Sequence, residues 1–405
     1  MKYWGGIKLV VLLAAVLPIC IYGVSPPIPT DKTKLNSWFS ENVKPLAGRE
    51  AELDPKLVAA EKNAKVVKVM ADGSGDFKTI TEAINSVPKG NTNRVVIWIG
   101  GGVYKEKLLV DRAKPFVTLY GSPANVPNLT FDGVAKKYGT VYSATLIVES
   151  DYFTAANLNI INTSPRPDGK PGQQALAARL MGDKAAVYNC KFYGFQDTLC
   201  DDAGLHLFKD CYIQGTIDFI FGRGTSLYLN SELDVLGDGK LKVITAHSRE
   251  EESDTSGYSF VHCSIVGTGG RNTYLGRAWK PRSKTIFSYT TIADILHPEG
   301  WHDMRHHGFD ATVFFAEHKC TGPGADRTGR VKYGKELTDK EVKPYLTLDF
   351  IQSDKWLLPP PTDPKAPTDP KDPKAATDPK DPKAPTDPKD PKAPTDPKAP
   401  TDPKA

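Results

Sequence analysis

The chain has 405 residues, 40% of them hydrophobic, and a formal net charge of +4. That length suffices for a large core, and one long β domain is as compatible with it as two compact ones. Two of the positive charges, Lys2 and Lys8, lie at the N-terminus. The remaining bias is weak and no block of consecutive basic residues occurs, which argues against a nucleic-acid partner.

In chain order, Lys2 and Lys8 flank the start of an apolar run, Leu9 to Ile21, with the small residue Gly23 near a cleavage point. Residues 1–23 therefore read as a secretory signal and predict an extracellular protein. The run is short for a membrane span, and no other stretch approaches ~18 apolar residues. Cys20 falls in this signal, leaving Cys190, Cys200, Cys211, Cys263 and Cys320. An odd number in a secreted chain leaves a thiol unpaired unless chains are cross-linked. No C-x-x-C pair is present, so a structural zinc site is not expected.

Residues 24–64 form a mixed N-terminal segment. Pro26-Pro27-Ile28-Pro29 gives it a rigid start, and Pro55 to Ala64 predicts a short helix. Val66 to Val69 begins a strand and Asp72 to Phe77 a turn. Thr79 to Val87 predicts a short amphipathic helix, with Ile80, Ala83, Ile84 and Val87 on one face. From Val95 onward short strands follow one another, among them Val95–Ile99, Val117–Tyr120 and Leu146–Val148, with turn residues between them.

A degenerate repeat then appears, in the order apolar, polar, small, polar, apolar. It occurs around Asn189-Cys190, Asp210-Cys211, Asn230-Ser231 and His262-Cys263. Strand-and-turn repeats of irregular period, roughly 20 to 32 residues, predict a solenoid, and a parallel β-helix is its natural form. The small residues would point inward as a ladder; a β-sandwich is the competing architecture. The predicted class is thus all-β, a single β-helix over residues 65–358 with short flanking helices. Residues 359–405 carry nine Asp-Pro-Lys units whose charges cancel. With almost nothing apolar, this tail is expected to be disordered or extended, as a spacer, a wall tether or a dispensable expansion.

Two similar segments stand out within the strand region: Tyr193-Gly194-Phe195-Gln196-Asp197-Thr198-Leu199 and Asp218-Phe219-Ile220-Phe221-Gly222. Each follows a Cys-containing strand-like run. If those runs stack as equivalent strands, Asp197 and Asp218 meet on one surface, where two carboxylates in different surroundings can divide acid and base work.

Five motifs carry a resemblance: Gly102-Val103-Tyr104-Lys105-Glu106, Gln174-Ala175-Leu176-Ala177-Ala178-Arg179, the two aspartate segments, and Leu275-Gly276-Arg277-Ala278-Trp279. In this order the chain resembles the plant pectin methylesterases over roughly Val66 to Leu358. The resemblance implies a right-handed parallel β-helix and hydrolysis of galacturonate methyl esters in pectin, giving a carboxylate and methanol in cell-wall modification. The layout is similar to the short group without an inhibitor-like region, which pollen members share.

The same resemblance implies roles for particular residues. Asp218 matches the nucleophile, with Arg277 as the guanidinium that holds it in two-point geometry. Asp197 matches the general acid and base; burial and the charge of Asp218 would both raise its pKa. Gln174 and Gln196 match neutral donors to a developing oxyanion. Trp279 is a substrate platform, and Thr145 and Phe221 are further substrate contacts. No G-x-S-x-G elbow is present, so carboxylates must do the work. No cofactor or metal is implied: His302, His306 and His307 near Asp303 read as a solvated loop. The implied partners are methyl-esterified pectin and a proteinaceous pectinesterase inhibitor, with no nucleic acid and no membrane, and the protein is expected to be a monomer. A wall-tethered pectin-binding protein with little turnover is the alternative.

Asn128-Leu129-Thr130 and Asn162-Thr163-Ser164 are glycosylation sequons. Six positions depart from the family pattern, among them Leu176 and Ala178, which change the apolar residues between Gln174 and Arg179. Ala278 stands where Pro is usual, Cys200 where Tyr is usual and His247 where Gln is common. Ser231 replaces the usual disulfide partner of Cys211, so that bridge cannot form.

Overall fold

In the computed structural model, which describes residues 25–364 except 239, 269 and 304–307, short runs of β-branched and aromatic residues are joined by tight corners. Every strand pair in the three sheets is parallel, as in Ala185–Tyr188 against Leu205–Lys209. The sheets have eleven, eight and eight strands, and neighbours within a sheet are mostly every third strand in sequence. The chain therefore coils through three faces in turn, which makes it a parallel β-helix. The signal run, the Asp-Pro-Lys units from residue 365 on, and His306 and His307 lie outside the described residues.

One corner explains the degenerate repeat. Between the eleven-stranded sheet and the next face, the chain turns on a single left-handed residue: Asn157, Asn189, Asp210, Asn230, His262, Tyr289 and Lys319 all have φ between 48° and 58°. Asn, Asp and His tolerate this region better than other side chains. The corner side chains also bond from coil to coil, as Asn189 Nδ2 donates to Asn157 Oδ1 at 2.9 Å and Asn230 Nδ2 to Asp210 Oδ1 at 2.6 Å. The residue after each corner turns inward, and Cys190, Cys211, Ser231 and Cys263 are buried as expected. All five cysteines outside residues 1–24 are free thiols.

Inside the coils, aromatic side chains stack along the axis. Phe208, Tyr228, Phe260 and Phe287 form one column with centroids 4.6, 4.4 and 4.5 Å apart. Such pairs add about 0.5–1.5 kcal/mol each beyond the area they bury. The predicted amphipathic helix is Ile80–Ser86, closed by a Thr79–Glu82 capping box, and it packs Ile80, Ala83 and Ile84 into the core. Glu106 accepts from the first N–H groups of this helix, Ile80 N at 2.9 Å and Thr81 N at 2.8 Å, which gives the first motif its structural role.

The outer face of the eleven-stranded sheet is covered. Trp38, Phe39, Leu53 and Leu57 from the N-terminal segment, with Leu348, Ile351 and Trp356 near residue 358, pack on Trp98, Tyr188, Leu207, Leu227 and Ile286. The predicted helix near Pro55 is Pro55–Lys62; a second one, Leu35–Asn42, has no counterpart in the sequence reading. Among the described residues, no helix is long and apolar enough to cross a membrane.

Asn162 corrects one expectation. It is buried, and its Nδ2 donates to the carbonyls of Gly133 and Leu176, each at 2.9 Å. Its amide nitrogen holds adjacent segments together and is closed to a glycan in the folded chain.

Candidate active site

Outward-facing side chains of the eight-stranded sheet that contains Leu199–Asp201 form a row set by register. Ile147 pairs with Arg179, Arg179 with Cys200, Cys200 with Phe221, Phe221 with Ala246, Ala246 with Arg277, and Arg277 with His302. The same register, Leu199 opposite Ile220, brings Asp197 level with Asp218 on the neighbouring coil. One strand step is roughly 4.8 Å. The Asp197 N–H donates to the carbonyl of Ile217 at 3.0 Å, which ties the two aspartate segments together.

Both aspartates have left-handed backbones, φ 65° at Asp197 and φ 50° at Asp218. Asp218 also lies in a register shift between Ile217 and Ile220, a bulge that re-aims the side chain. Gly215 makes room for this turn: a Cβ there would lie 2.2 Å from Cβ of Phe219. Thr198 Oγ1 donates to the Gln214 carbonyl at 2.8 Å and fixes the loop beside Asp197.

Arg277 reaches back across one strand to Asp218. Its Nε and Nη2 donate to Oδ1 and Oδ2 at 2.8 and 2.6 Å, a two-point ion pair with both side chains largely buried. Asp197 is buried without such a partner. Burial pushes its carboxyl well above the usual carboxylate range, the charge of Asp218 pushes it further, and Arg277 opposes both. The two acids thus differ in the way their surroundings treat a negative charge.

Gln174 and Gln196 are half-buried at the edge of this pair. Their backbones join neighbouring coils, Ala175 N donating to Gln196 O at 3.3 Å and Ala135 N to Gln174 O at 2.8 Å. Trp279 is 39% exposed and lies over buried Phe221, with centroids 5.5 Å apart and planes at 27°. The Arg277 guanidinium is 5.7 Å from its ring. Ala278, in place of the usual Pro, remains in the strand ladder opposite His247, and Trp279 N donates to His247 O at 3.2 Å.

Thr145 does not join them. It is fully buried and its Oγ1 donates to the carbonyl of Ile161 at 2.9 Å, so its hydroxyl serves coil packing, not a substrate. The sequence reading also missed an apolar patch at the foot of the row, formed by Ala144, Ile147, Leu176, Cys200, Phe221 and Ala246. Its signal was the run of small or apolar residues at outward positions.

The site is thus a buried acid pair on a parallel β-helix, with one member clamped by arginine. The family model for pectinesterases matches residues 66–354. Probable pectinesterase 49 of Arabidopsis thaliana is 53% identical over 346 residues, covering 85% of this chain and 95% of that protein. Pectinesterase 2 of Olea europaea is 50% identical, covering 85% of this chain and 94% of its own. Among solved structures, the pectin methylesterase from carrot superposes with a TM-score of 0.64 at 30% identity, over 69% of this chain and 90% of the other. Pectin methylesterase PemA from Erwinia chrysanthemi gives 0.62 at 27% identity, over 73% and 98%. The chain belongs to the pectinesterase family, whose members are carboxylic ester hydrolases.

Proposed function

We propose that this protein hydrolyses the methyl esters of galacturonate units in cell-wall pectin, with Asp218 as nucleophile and Asp197 as proton donor and acceptor. One observation carries the reading: Asp197 and Asp218 stand one strand step apart, and only Asp218 is clamped by Arg277. A related pectin methylesterase, 26% identical with a TM-score of 0.62, was solved in complex with a hexasaccharide, and the two chains overlap over 74% of this one and 99% of that one.

The two environments suit a two-step displacement. Asp218, oriented by Arg277, attacks the ester carbonyl carbon, and the oxyanion accepts hydrogen bonds from the Gln174 and Gln196 amides. Neutral donors stabilise that oxyanion without blunting the nucleophile. Asp197, protonated because of burial, gives its proton to the departing methoxide, which leaves as methanol. Asp218 is then an acyl anhydride. Asp197, now a carboxylate, takes a proton from water; the hydroxide adds to the galacturonate acyl carbon and Asp218 departs as carboxylate. The new galacturonic acid releases its proton to solvent, and Asp197 ends the cycle protonated by the proton it took from water. Trp279 offers its exposed face to a sugar ring. Export through the signal at residues 1–23 would bring the enzyme to its substrate in the wall.

Incubation with highly esterified pectin tests the reaction. Methanol and acid should appear in equal amounts, with no new reducing ends. Chain cleavage would make this a glycosidase or lyase, and polymer binding without methanol would make it a pectin-binding protein.

A further inference from the structure

We infer that Tyr142 is a second sugar platform, across the acid pair from Trp279, and that it takes an unesterified galacturonate. This rests on the pectin-hydrolysing reading above. Among the described residues, the strongly exposed large hydrophobic side chains include only two aromatics, Trp279 at 39% and Tyr142 at 51%. Both border the outward row of the same sheet. Trp279 stacks on Phe221, and Tyr142 lies over Arg179 with the guanidinium carbon 5.2 Å from the ring centre. Arg179 and Phe221 are two strand steps apart in that row, with Cys200 between them, a span of roughly 10 Å. Asp197 leads into the strand of Cys200, and Asp218 lies at the start of the strand of Phe221. A polymer laid along the row, with its ester at the acid pair, therefore meets Trp279 on one side and Tyr142 on the other.

The charges beside Tyr142 and on the short helix that precedes it bear on the kind of sugar. Arg179 places Nε and Nη2 on Asp202 at 2.8 and 2.6 Å, and its Nη1 is buried with no hydrogen-bond partner. Tyr142 shares its loop with the helix Ala135–Tyr138, whose first N–H is bonded to Gln174 O at 2.8 Å, so the loop is fixed to the site. Two exposed ammonium groups, those of Lys107 and Lys137, lie 4.4 and 5.0 Å from the Tyr138 ring, with Lys136 exposed beside them. Asp132 is the acidic group facing Lys137. The balance is positive, which favours a free carboxylate over a neutral methyl ester.

Steady-state kinetics of the full chain on fully esterified and on partly de-esterified pectin test this. For Tyr142→Ala, KM on the partly de-esterified polymer should rise about tenfold at unchanged kcat, the signature of a lost binding platform. The rise should be smaller on the fully esterified polymer. Tyr142→Phe keeps the ring and should keep the KM. The double variant Lys107→Gln, Lys137→Gln should raise KM on the partly de-esterified polymer alone and flatten its salt dependence. Tyr142→Ala with KM within about twofold of wild type on both polymers would overturn the platform. Equal increases on both polymers would overturn the selection for carboxylate. Asp218→Asn, assayed alongside, separates this from the reaction itself: methanol release in that variant would sink the assigned chemistry whatever Tyr142 does.

Discussion

Two outer faces of one β-helix carry the same strand architecture and opposite surfaces. The eleven-stranded sheet presents Trp98, Tyr188, Leu207, Leu227 and Ile286 outward, and the segments that carry Trp38, Leu57, Leu348 and Trp356 lie on them. The eight-stranded sheet presents Arg179, Cys200, Phe221, Ala246 and Arg277 outward and leaves Trp279 and Tyr142 exposed. Parallel stacking dictates the inward residues of both sheets. The outward ones are free to be apolar and covered, which yields stability, or charged and aromatic, which yields a site. The acid pair illustrates the cost: Asp197 is buried where a negative charge is unwelcome, a sacrifice of stability that suits a proton donor.

Three variants sharpen this contrast. Leu227→Ala empties a fully buried position on the covered face and should destabilise the fold by about 2–5 kcal/mol in chemical denaturation. The kcat of the folded fraction should not change; a loss of kcat would tie the two faces together. Ser231→Cys addresses the corner, where Ser231 Oγ accepts from Cys211 N at 3.2 Å. Adjacent coils lie within disulfide reach, so the new thiol should pair with Cys211 under oxidising conditions and add about 3 kcal/mol. A reducing agent should remove the gain, and an unchanged melting temperature in both conditions would show that the thiols point apart.

Asp197→Asn should do the opposite of Leu227→Ala, lowering activity while raising stability. The folded-state pKa of Asp197 lies above its ordinary value of 3.8, so folding favours the protonated acid. That contribution is complete below pH 3.8 and is lost as pH rises through the folded value. The melting temperature of Asp197→Asn should therefore exceed that of wild type near neutral pH, and the gap should close on acidification. A gap that widens toward low pH would mean Asp197 is stabilised as a carboxylate.

The sequence carried the coil more readily than the corners. Val95–Ile99 and Leu146–Val148 were legible as strands because alternation and β-branching are local. The polar member of the repeat was visible, but its left-handed backbone at Asn189 or Asp210 was not, since φ is set by the corner that the stacked coils impose. Asp197 and Asp218 were placed together by the similarity of their segments. The bulge at Asp218 left no mark in the residue order, because register shifts arise between strands. Thr145 matched a motif position, yet its hydroxyl faces the Ile161 carbonyl. Asn162 read as a sequon and serves as a coil-to-coil bond. In both cases local pattern gave the residue type and tertiary packing gave its direction. Tyr142 and Arg179, thirty-seven positions apart, meet only through the stack.

Methanol release from esterified pectin by wild type and Asp218→Asn, with far-ultraviolet spectra and melting curves recorded on the same samples, tests the central claim most directly. The account predicts a fall in kcat of about four orders of magnitude with the fold retained. A folded Asp218→Asn protein keeping more than about a tenth of the wild-type kcat would contradict it.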